Sequence, residues 1–314
     1  MSSAVETPQI TARPSRVRRG DRIFSGLAAG AGAIILALLA GVAIFLLIEG
    51  WPALTAAPEK IPGGDGLVSY IAPLAFGTVL AAGLALCIGA PLAVAVALFI
   101  THYAPKRIAR SLAYLVDLLA AIPSIIYGLW GVAVLGPRSV DLQHWLADHL
   151  SFIPFFAGPA SATGRTMLVV GFVLGLMILP IISAISREVL LQTPRALQEA
   201  ALALGATRWE MIRMVVLPFG RSGIIAASML GLGRALGETM AVAIILSVSG
   251  DVTFNLISSG NPSTIAANIA LDFPESSGLA VNTLIASGLV LFGITLIVNT
   301  AARAVIERTE RKRR

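Results

Sequence analysis

Six long apolar stretches constrain this chain more than any other feature of its sequence. They cover approximately residues 23–49, 72–100, 112–135, 166–186, 222–248 and 279–302. A helix of about 20 apolar residues crosses the ~30 Å hydrocarbon core of a membrane, so each stretch is long enough to span it. Only 13% of the 314 residues are charged, whereas soluble domains contain about 25%. The sequence therefore predicts an all-α integral membrane protein with six transmembrane helices.

Four prolines lie in these stretches or at their ends, namely Pro73, Pro91, Pro123 and Pro180. Proline removes a backbone donor and interrupts a helical hydrogen-bond ladder. In a membrane bundle, neighbouring helices can satisfy the groups that this frees. We therefore predict kinks at the four prolines rather than helix ends.

The positive charges predict the orientation of the chain. Nearly all of the 23 Lys and Arg residues lie in the two tails and in the connections that follow the second and fourth stretches. The other connections contain only Lys60, Arg138 and Arg165. Because cytoplasmic segments collect Lys and Arg, we predict that both termini are cytoplasmic. The loops near 51–71, 136–165 and 249–278 are then outside, residues 1–22 form a disordered tail, and residues 304–314 form a second basic tail.

Chemistry-bearing residues are few. The chain has one cysteine, Cys87, and three histidines. A metal site formed by Asp141, His144, Asp148 and His149 is conceivable, but the sequence around them is more typical of a short amphipathic helix on the membrane surface. We predict no bound metal and no catalytic residue. A Walker A motif requires a lysine after a glycine, and none of the three lysines follows one, so we predict no ATP site in this chain.

The connection between the fourth and fifth stretches, residues 187–221, has a helical rather than a loop-like composition. The Thr-Pro pair at 193–194 predicts a helix start, and Gly205 fits a C-terminal cap. Thr207 and Glu210 match a capping box and predict a second short helix. Two short helices would form a compact knob outside the membrane. On composition alone, an ordinary interfacial helical hairpin is equally consistent.

The same connection resembles the EAA loop of ABC importer permeases, whose pattern is EAA-x3-G-x9-I-x-LP. The matching residues are Glu199, Ala200, Ala201, Gly205, Leu217 and Pro218, with Val215 where that family usually has Ile. The resemblance implies that residues 193–218 form a coupling helix that docks into a groove of a separate ATPase subunit. ATP and Mg would then be bound by that partner, and this chain would carry no cofactor.

Two charges lie inside the fifth stretch. Arg234 is twelve residues after Ser222, which places it about 18 Å deep. A charge there costs roughly 2.5–3.5 kcal/mol and faces a bundle interior or a water-filled cavity. Glu238 is four residues further on, the spacing of one helical face. Either the pair lies on a solute path, or it is a salt bridge that joins two helices.

Small residues surround this pair. Gly231, Gly233 and Gly237 flank it, and Gly233-xxx-Gly237 has the small-xxx-small spacing that allows close approach of a neighbouring helix, so we predict a helix-packing role for these glycines. Asp117 lies about five residues into the third stretch, where a charge costs little. We expect it to be a gating or structural partner.

Three segments sharpen the resemblance to the phosphate-specific ABC transporter permeases, C-subunit (PstC) type. They are GDRIF at 20–24, AAIPSIIYGLWG at 120–131 and GLGRALGETMAV at 231–242. The resemblance implies a type I (MetI-like) permease core over residues 72–303, preceded by one extra helix and outer loop over 23–71. It also implies a bacterial plasma membrane, a homologous PstA-type permease, a PstB-type ATPase dimer and an extracytoplasmic PstS-type phosphate-binding protein.

Several alternatives remain open at this point. The sister A-type subunit shares the R-A-x-G-E-T segment but usually continues with Ala-Pro, where this chain has Met240-Ala241. A permease for another oxyanion would show the same charges. A secondary transporter that works without ATP would explain the spans and the buried charges, but not the EAA loop.

Overall fold

A computed structural model describes residues 19–246 and 252–311, and these residues form helices and connecting loops without a β-strand. The predicted all-α membrane class is therefore confirmed. The helices are α1 (Arg19–Thr55), α2 (Leu67–Leu98), α3 (Lys106–Ala120), α4 (Ser124–Trp130), α5 (Gly136–His149), α6 (Met167–Leu191), α7 (Arg195–Ala203), α8 (Arg208–Met211), α9 (Leu217–Leu236), α10 (Met240–Ile245), α11 (Ile265–Asp272) and α12 (Leu279–Arg311).

The chain divides into two units at residue 45, inside α1. The described part of the first unit is the beginning of that apolar helix, and the second unit contains all the other helices. Most of the predicted N-terminal tail and the last three residues of the predicted C-terminal tail fall outside the described residues, which exclude 1–18 and 312–314. Where the structure describes them, both are helical. Helix α1 begins at Arg19, and α12 continues through the predicted C-terminal tail to Arg311.

Five helical runs are long and apolar enough to cross a membrane: Arg22–Thr55, Leu67–Tyr103, Met167–Leu191, Arg208–Leu236 and Leu279–Ala304. The third predicted span, 112–135, corresponds to two helical segments, Lys106–Ala120 and Ser124–His149, which together are long and apolar enough to cross a membrane but meet at an angle of 92°, as in a broken span or a re-entrant loop. Pro73, Pro91 and Pro180 lie inside helices as predicted. Pro123 does not, because α3 ends at Ala120 and Pro123 begins α4 with an extended backbone (ψ 138°).

A tyrosine hydroxyl donates a hydrogen bond to one of the backbone carbonyls next to this bend. The Tyr127 hydroxyl donates to the carbonyl of Leu119, eight residues earlier, at 3.0 Å. A carbonyl freed in an apolar environment needs such a partner. The bend at Pro123 is therefore closed by a side chain of the next helix.

The predicted fifth span, 222–248, is also not one helix. A continuous helix of 29 residues runs from Arg208, through a π-helical turn at Ile212–Val216, to Leu236. The chain then breaks at residues 237–239, and α10 follows as a separate six-residue helix. Residues 247 and 248 lie outside the described residues. The helix begins earlier than predicted and is interrupted where the charged pair lies.

Helices α2, α6 and α9 form the core of the second unit, and glycines set their separation. A Cβ on Gly89 of α2 would lie 2.7 Å from the Gly175 carbonyl oxygen of α6, and one on Gly171 would lie 2.7 Å from Leu84. On α9, a Cβ on Gly231 would lie 2.7 Å from Ile182 of α6. Small residues allow such close approach where lipid gives no hydrophobic drive for association.

Candidate functional site

The connection between α6 and α9 contains the predicted knob, but only its first helix, α7, is a separate short helix, because α8 is the beginning of the continuous helix Arg208–Leu236. Helix α7 begins at Arg195 with Pro194 as its cap, so the predicted cap by Thr193 is wrong. The Thr193 hydroxyl is buried without a hydrogen-bond partner, and Thr193 contributes its carbonyl to Gln198 instead (3.1 Å). Proline has no backbone N–H, so Pro194 at the start of α7 leaves no donor without a partner.

The end of α7 and the start of α8 follow the prediction closely. Gly205 has φ +88°, and the Gly205 and Ala206 amides donate to the carbonyls of Leu202 (3.0 Å) and Ala201 (3.2 Å). This is the Schellman pattern of a left-handed C-terminal cap. Thr207 Oγ1 accepts from the Glu210 amide (3.3 Å), and Glu210 Oε2 accepts from the Thr207 amide (2.7 Å). The predicted capping box is confirmed.

The second half of the knob is anchored in the core, whereas the first half is open. Met211, Ile212 and Val216 are buried against Ala97 of α2 and Leu190 of α6. In contrast, no residue of α7 is buried. Its Glu199 and Ala200 are exposed, as are several large apolar side chains of the knob: Leu197, Leu202, Leu204, Trp209 and Met214. The knob therefore presents an apolar surface outside the core while its base is held by two spanning helices.

The charged residues of the fifth stretch have different environments. Arg234 lies in the last turn of α9 and is exposed. Glu238 lies beyond the end of that helix, is 9% exposed, and accepts a hydrogen bond from the Ala241 amide of α10 at 3.2 Å. Within the described residues, ion pairs join Arg187 to Asp117 and to Glu188, and none joins Arg234 to Glu238. The expected common helical face is wrong because the helix ends at Leu236.

Arg234 lies on a face of α9 that is exposed in the part of the chain that the structure describes. Leu230, Gly233 and Gly237 on the same face are exposed, and a Cβ on Gly233 would meet no atom within 4 Å. The Tyr127 hydroxyl of α4 is within electrostatic range of the Arg234 guanidinium. Of the three predicted packing glycines, the structure places Gly231 against another helix and leaves Gly233 and Gly237 facing away from the core.

Asp117 lies at the end of the bundle that carries the knob. Its carboxylate is 3.8 Å from the Arg187 guanidinium, which joins α3 to α6. This contact supports the structural alternative for Asp117. The four candidate metal ligands of α5 are not brought together. His149 stacks on Trp145 (ring centroids 4.9 Å apart), and no cluster of three or more His, Cys, Asp or Glu side chains is found in the described residues.

Two features were missed by the sequence reasoning. Gly171 and Gly175 have the same small-xxx-small spacing that drew attention to Gly233 and Gly237, so the pattern could have been found. Arg165 was counted only as an outer charge, but it binds the backbone of α10 through three hydrogen bonds. No local pattern indicates that contact, because its partners are about 80 residues away in the sequence.

Comparison with known proteins now places the chain in a class. Residues 89–313 match the family model described as binding-protein-dependent transport system inner membrane component. The match covers more than half of the chain. The chain therefore belongs to this family of membrane permeases, and its matched region begins later than the predicted core at residue 72.

Three relatives that match nearly the full length of the chain are all phosphate permeases of the PstC type. The chain is 45% identical over 305 residues to phosphate transport system permease protein PstC 2 of Mycobacterium tuberculosis, covering 93% of each chain. It is 39% identical to PstC of Xylella fastidiosa, covering 98% of this chain and 97% of that one. It is 37% identical to PstC of Haemophilus influenzae, with 92% and 94% covered.

Solved structures share the fold at low identity. A chain of a bacterial alginate ABC transporter, in complex with an alginate pentasaccharide-bound periplasmic protein, superposes with a TM-score of 0.64. That match covers 92% of this chain and 96% of that chain at 16% identity. A chain of the inward-facing MetNI methionine ABC transporter superposes with a TM-score of 0.51, covering 77% and 95% at 18% identity.

Proposed function

We propose that this chain is the PstC-type permease subunit of an ATP-driven phosphate importer. The observation that carries the proposal is an exposed arginine, Arg234, that forms no ion pair with any described residue and lies beside a break in a membrane span. Arginine binds oxyanions through charge-assisted, often bidentate hydrogen bonds. A cation at this depth is costly unless it serves a solute path or a partner. The names of the relatives supply the oxyanion, which is phosphate.

Glu238 has a different role in this proposal. Its carboxylate holds the first turn of α10 and so maintains the break beside Arg234. It also keeps a negative charge close to the path, which limits how tightly an anion can be held. Conduction requires binding that is weak enough to release the solute.

The knob couples this path to a separate ATPase. Its exposed α7 carries the EAA residues Glu199, Ala200 and Ala201, and this surface fits a groove of the partner. From Arg208 the chain continues as one helix to Leu236, so displacement of the knob base reaches Arg234 through a rigid element. The chain lacks a Walker A sequence, and ATP and Mg belong to the ATPase dimer. The subunit itself is not an enzyme.

The remaining partners follow from the two ends of the bundle. The arginine-rich end, with the knob and both termini, faces the cytoplasm of a bacterial plasma membrane. A homologous PstA-type permease covers the open face of α9 and completes the path. An extracytoplasmic PstS-type binding protein delivers phosphate to the loops at the other end.

The decisive experiment is uptake by the complex reconstituted in proteoliposomes. We expect labelled phosphate to accumulate only with ATP and the ATPase subunits, and labelled sulfate and molybdate to compete poorly. Preferential uptake of sulfate or molybdate would reassign the substrate, since the arginine chemistry alone does not separate these anions. Accumulation driven by a gradient without the ATPase would overturn the importer class.

A further inference from the structure

Arg165, the residue that precedes the N-cap of α6, binds the carboxyl end of α10. Its Nε donates to the Ile245 carbonyl at 3.1 Å, and its Nη2 donates to the carbonyls of Ile244 (2.9 Å) and Leu246 (3.4 Å). One guanidinium thus satisfies three consecutive carbonyls. The side chain is half-buried.

These carbonyls need a partner from elsewhere in the chain. The last four carbonyls of a helix have no N–H donor within that helix. Because α10 is only six residues long, most of its carbonyls are in this position. In an apolar environment water does not satisfy them. A positive charge at this end also complements the helix dipole. Arg165 therefore stabilises a helix that is too short to be stable by itself.

The other end of α10 is held in a complementary way. The buried Glu238 carboxylate accepts from the Ala241 amide, and a Cβ on Gly128 of α4 would lie 2.9 Å from Ala241 Cα. Helix α10 is thus fixed by an anion at its start, by a close helix contact at its side and by Arg165 at its end. Of these three contacts, only that of Arg165 is at the end of α10 away from the break that contains Glu238.

We propose that Arg165 is a positioning residue for transport. By holding the carboxyl end of α10, it fixes where Glu238 and the break at 237–239 lie relative to Arg234. Arg165 does not touch the solute in this role, because its Nε and one terminal nitrogen are engaged by backbone carbonyls. The inference rests on the proposed function of Arg234 in the solute path.

The chemistry predicts that lysine replaces Arg165 poorly. A planar guanidinium reaches three consecutive carbonyls with a fixed fork, whereas an ammonium is a point donor on a flexible stem. Arg165→Gln removes the charge as well. We expect the maximal rate of ATP-dependent phosphate uptake to fall roughly tenfold or more in Arg165→Gln, and less in Arg165→Lys, with little change in KM.

A thiol-labelling measurement separates positioning from general damage. In a Cys87→Ser background, a thiol introduced by Thr239→Cys reports on the break, and one introduced by Leu230→Cys reports on α9. We expect Arg165→Gln to accelerate labelling at 239 by a maleimide but not at 230. Arg138→Gln is the matched control, since Arg138 is an exposed arginine in the same connection whose side chain has no hydrogen bond or ion pair among the described residues.

Four outcomes would overturn the proposal: a wild-type maximal rate in Arg165→Gln, a change confined to KM, equal acceleration of labelling at both positions, or the same effects in Arg138→Gln. A change confined to KM would instead make Arg165 a solute contact. If Arg165→Gln does not assemble, Arg165→Lys is measured in the same way and judged by the same outcomes. Wild-type uptake by Arg234→Gln would refute the solute path itself, independently of the labelling at 239.

Discussion

At the scale of single residues, Arg234 and Glu238 show how far a spacing can mislead. Four residues separate them, which on a continuous helix would place both side chains on one face. Helix α9 ends between them, so Arg234 is exposed on α9 and Glu238 is buried as a cap of α10. The two side chains can therefore be tested separately, one for contact with the solute and the other for support of the break.

Substitution Arg234→Gln should reduce ATP-dependent phosphate uptake by roughly 10- to 100-fold, the cost of losing a hydrogen bond to a charged group. The abundance of the complex should not change, since the guanidinium has no partner to lose within the described residues. Arg221→Gln, an exposed arginine near the start of the same helix, is the control. Normal uptake in a normally abundant Arg234→Gln complex would remove Arg234 from the path.

At the scale of helices, the packing of α2 on α6 is set by glycines rather than by large apolar side chains. Gly89 and Gly175 bring the two backbones together, and a side chain at Gly89 would lie too close to the Gly175 carbonyl oxygen for the helices to keep this separation. Helix α6 carries the largest share of buried residues in the described chain, so this contact supports the entire core.

Substitution Gly89→Ala should therefore destabilise the complex by about 1–3 kcal/mol, the usual cost of overpacking. Its new Cβ would meet the Gly175 carbonyl oxygen at 2.7 Å. Gly83→Ala on the same helix adds a methyl group with no atom within 4 Å and should have little effect. Thermal denaturation of the purified complex measures both, and equal melting temperatures for the two variants would contradict this account of α2 and α6.

The knob offers a second prediction at this scale. Gly205 has φ +88°, so Gly205→Ala should cost about 1–2 kcal/mol in the left-handed region and loosen the end of α7. We expect reduced uptake and weaker binding of the ATPase subunits. Gly205→Asn should retain more activity, because Asn tolerates this conformation better. Full coupling in Gly205→Ala, measured as ATP hydrolysed per phosphate transported, would show that the cap does not position α7.

At the scale of the whole molecule, the open face of α9 needs a second protein. An exposed arginine inside a membrane span is not stable against lipid, and Leu230, Gly233 and Gly237 beside it are exposed within the described residues. The proposed function places a homologous permease on this face. The path is then formed between two subunits rather than within one.

Substitution Gly233→Leu tests this arrangement. Leucine favours the helix, and a Cβ at this exposed position would meet no described atom within 4 Å, so the subunit itself should fold normally. A bulky side chain on the open face should nevertheless reduce co-purification of the homologous permease several-fold. Detergent-solubilised subunits can be quantified by affinity capture. Unchanged pairing would show that another face of the chain meets the partner.

The sequence by itself determined the features that depend on local chemistry. Apolar stretches of sufficient length predicted the membrane class, and residues within a few positions of each other predicted the Gly205 cap, the Thr207–Glu210 capping box and the EAA resemblance. Only the tertiary structure decided where helices stop. The Leu119 carbonyl at the bend accepts from the Tyr127 hydroxyl, and the carboxyl end of α10, the helix that follows the break, is bound by Arg165, which lies about 80 residues away in the sequence. In a membrane, a helix can end wherever a distant side chain satisfies its freed backbone groups, and no local pattern encodes that.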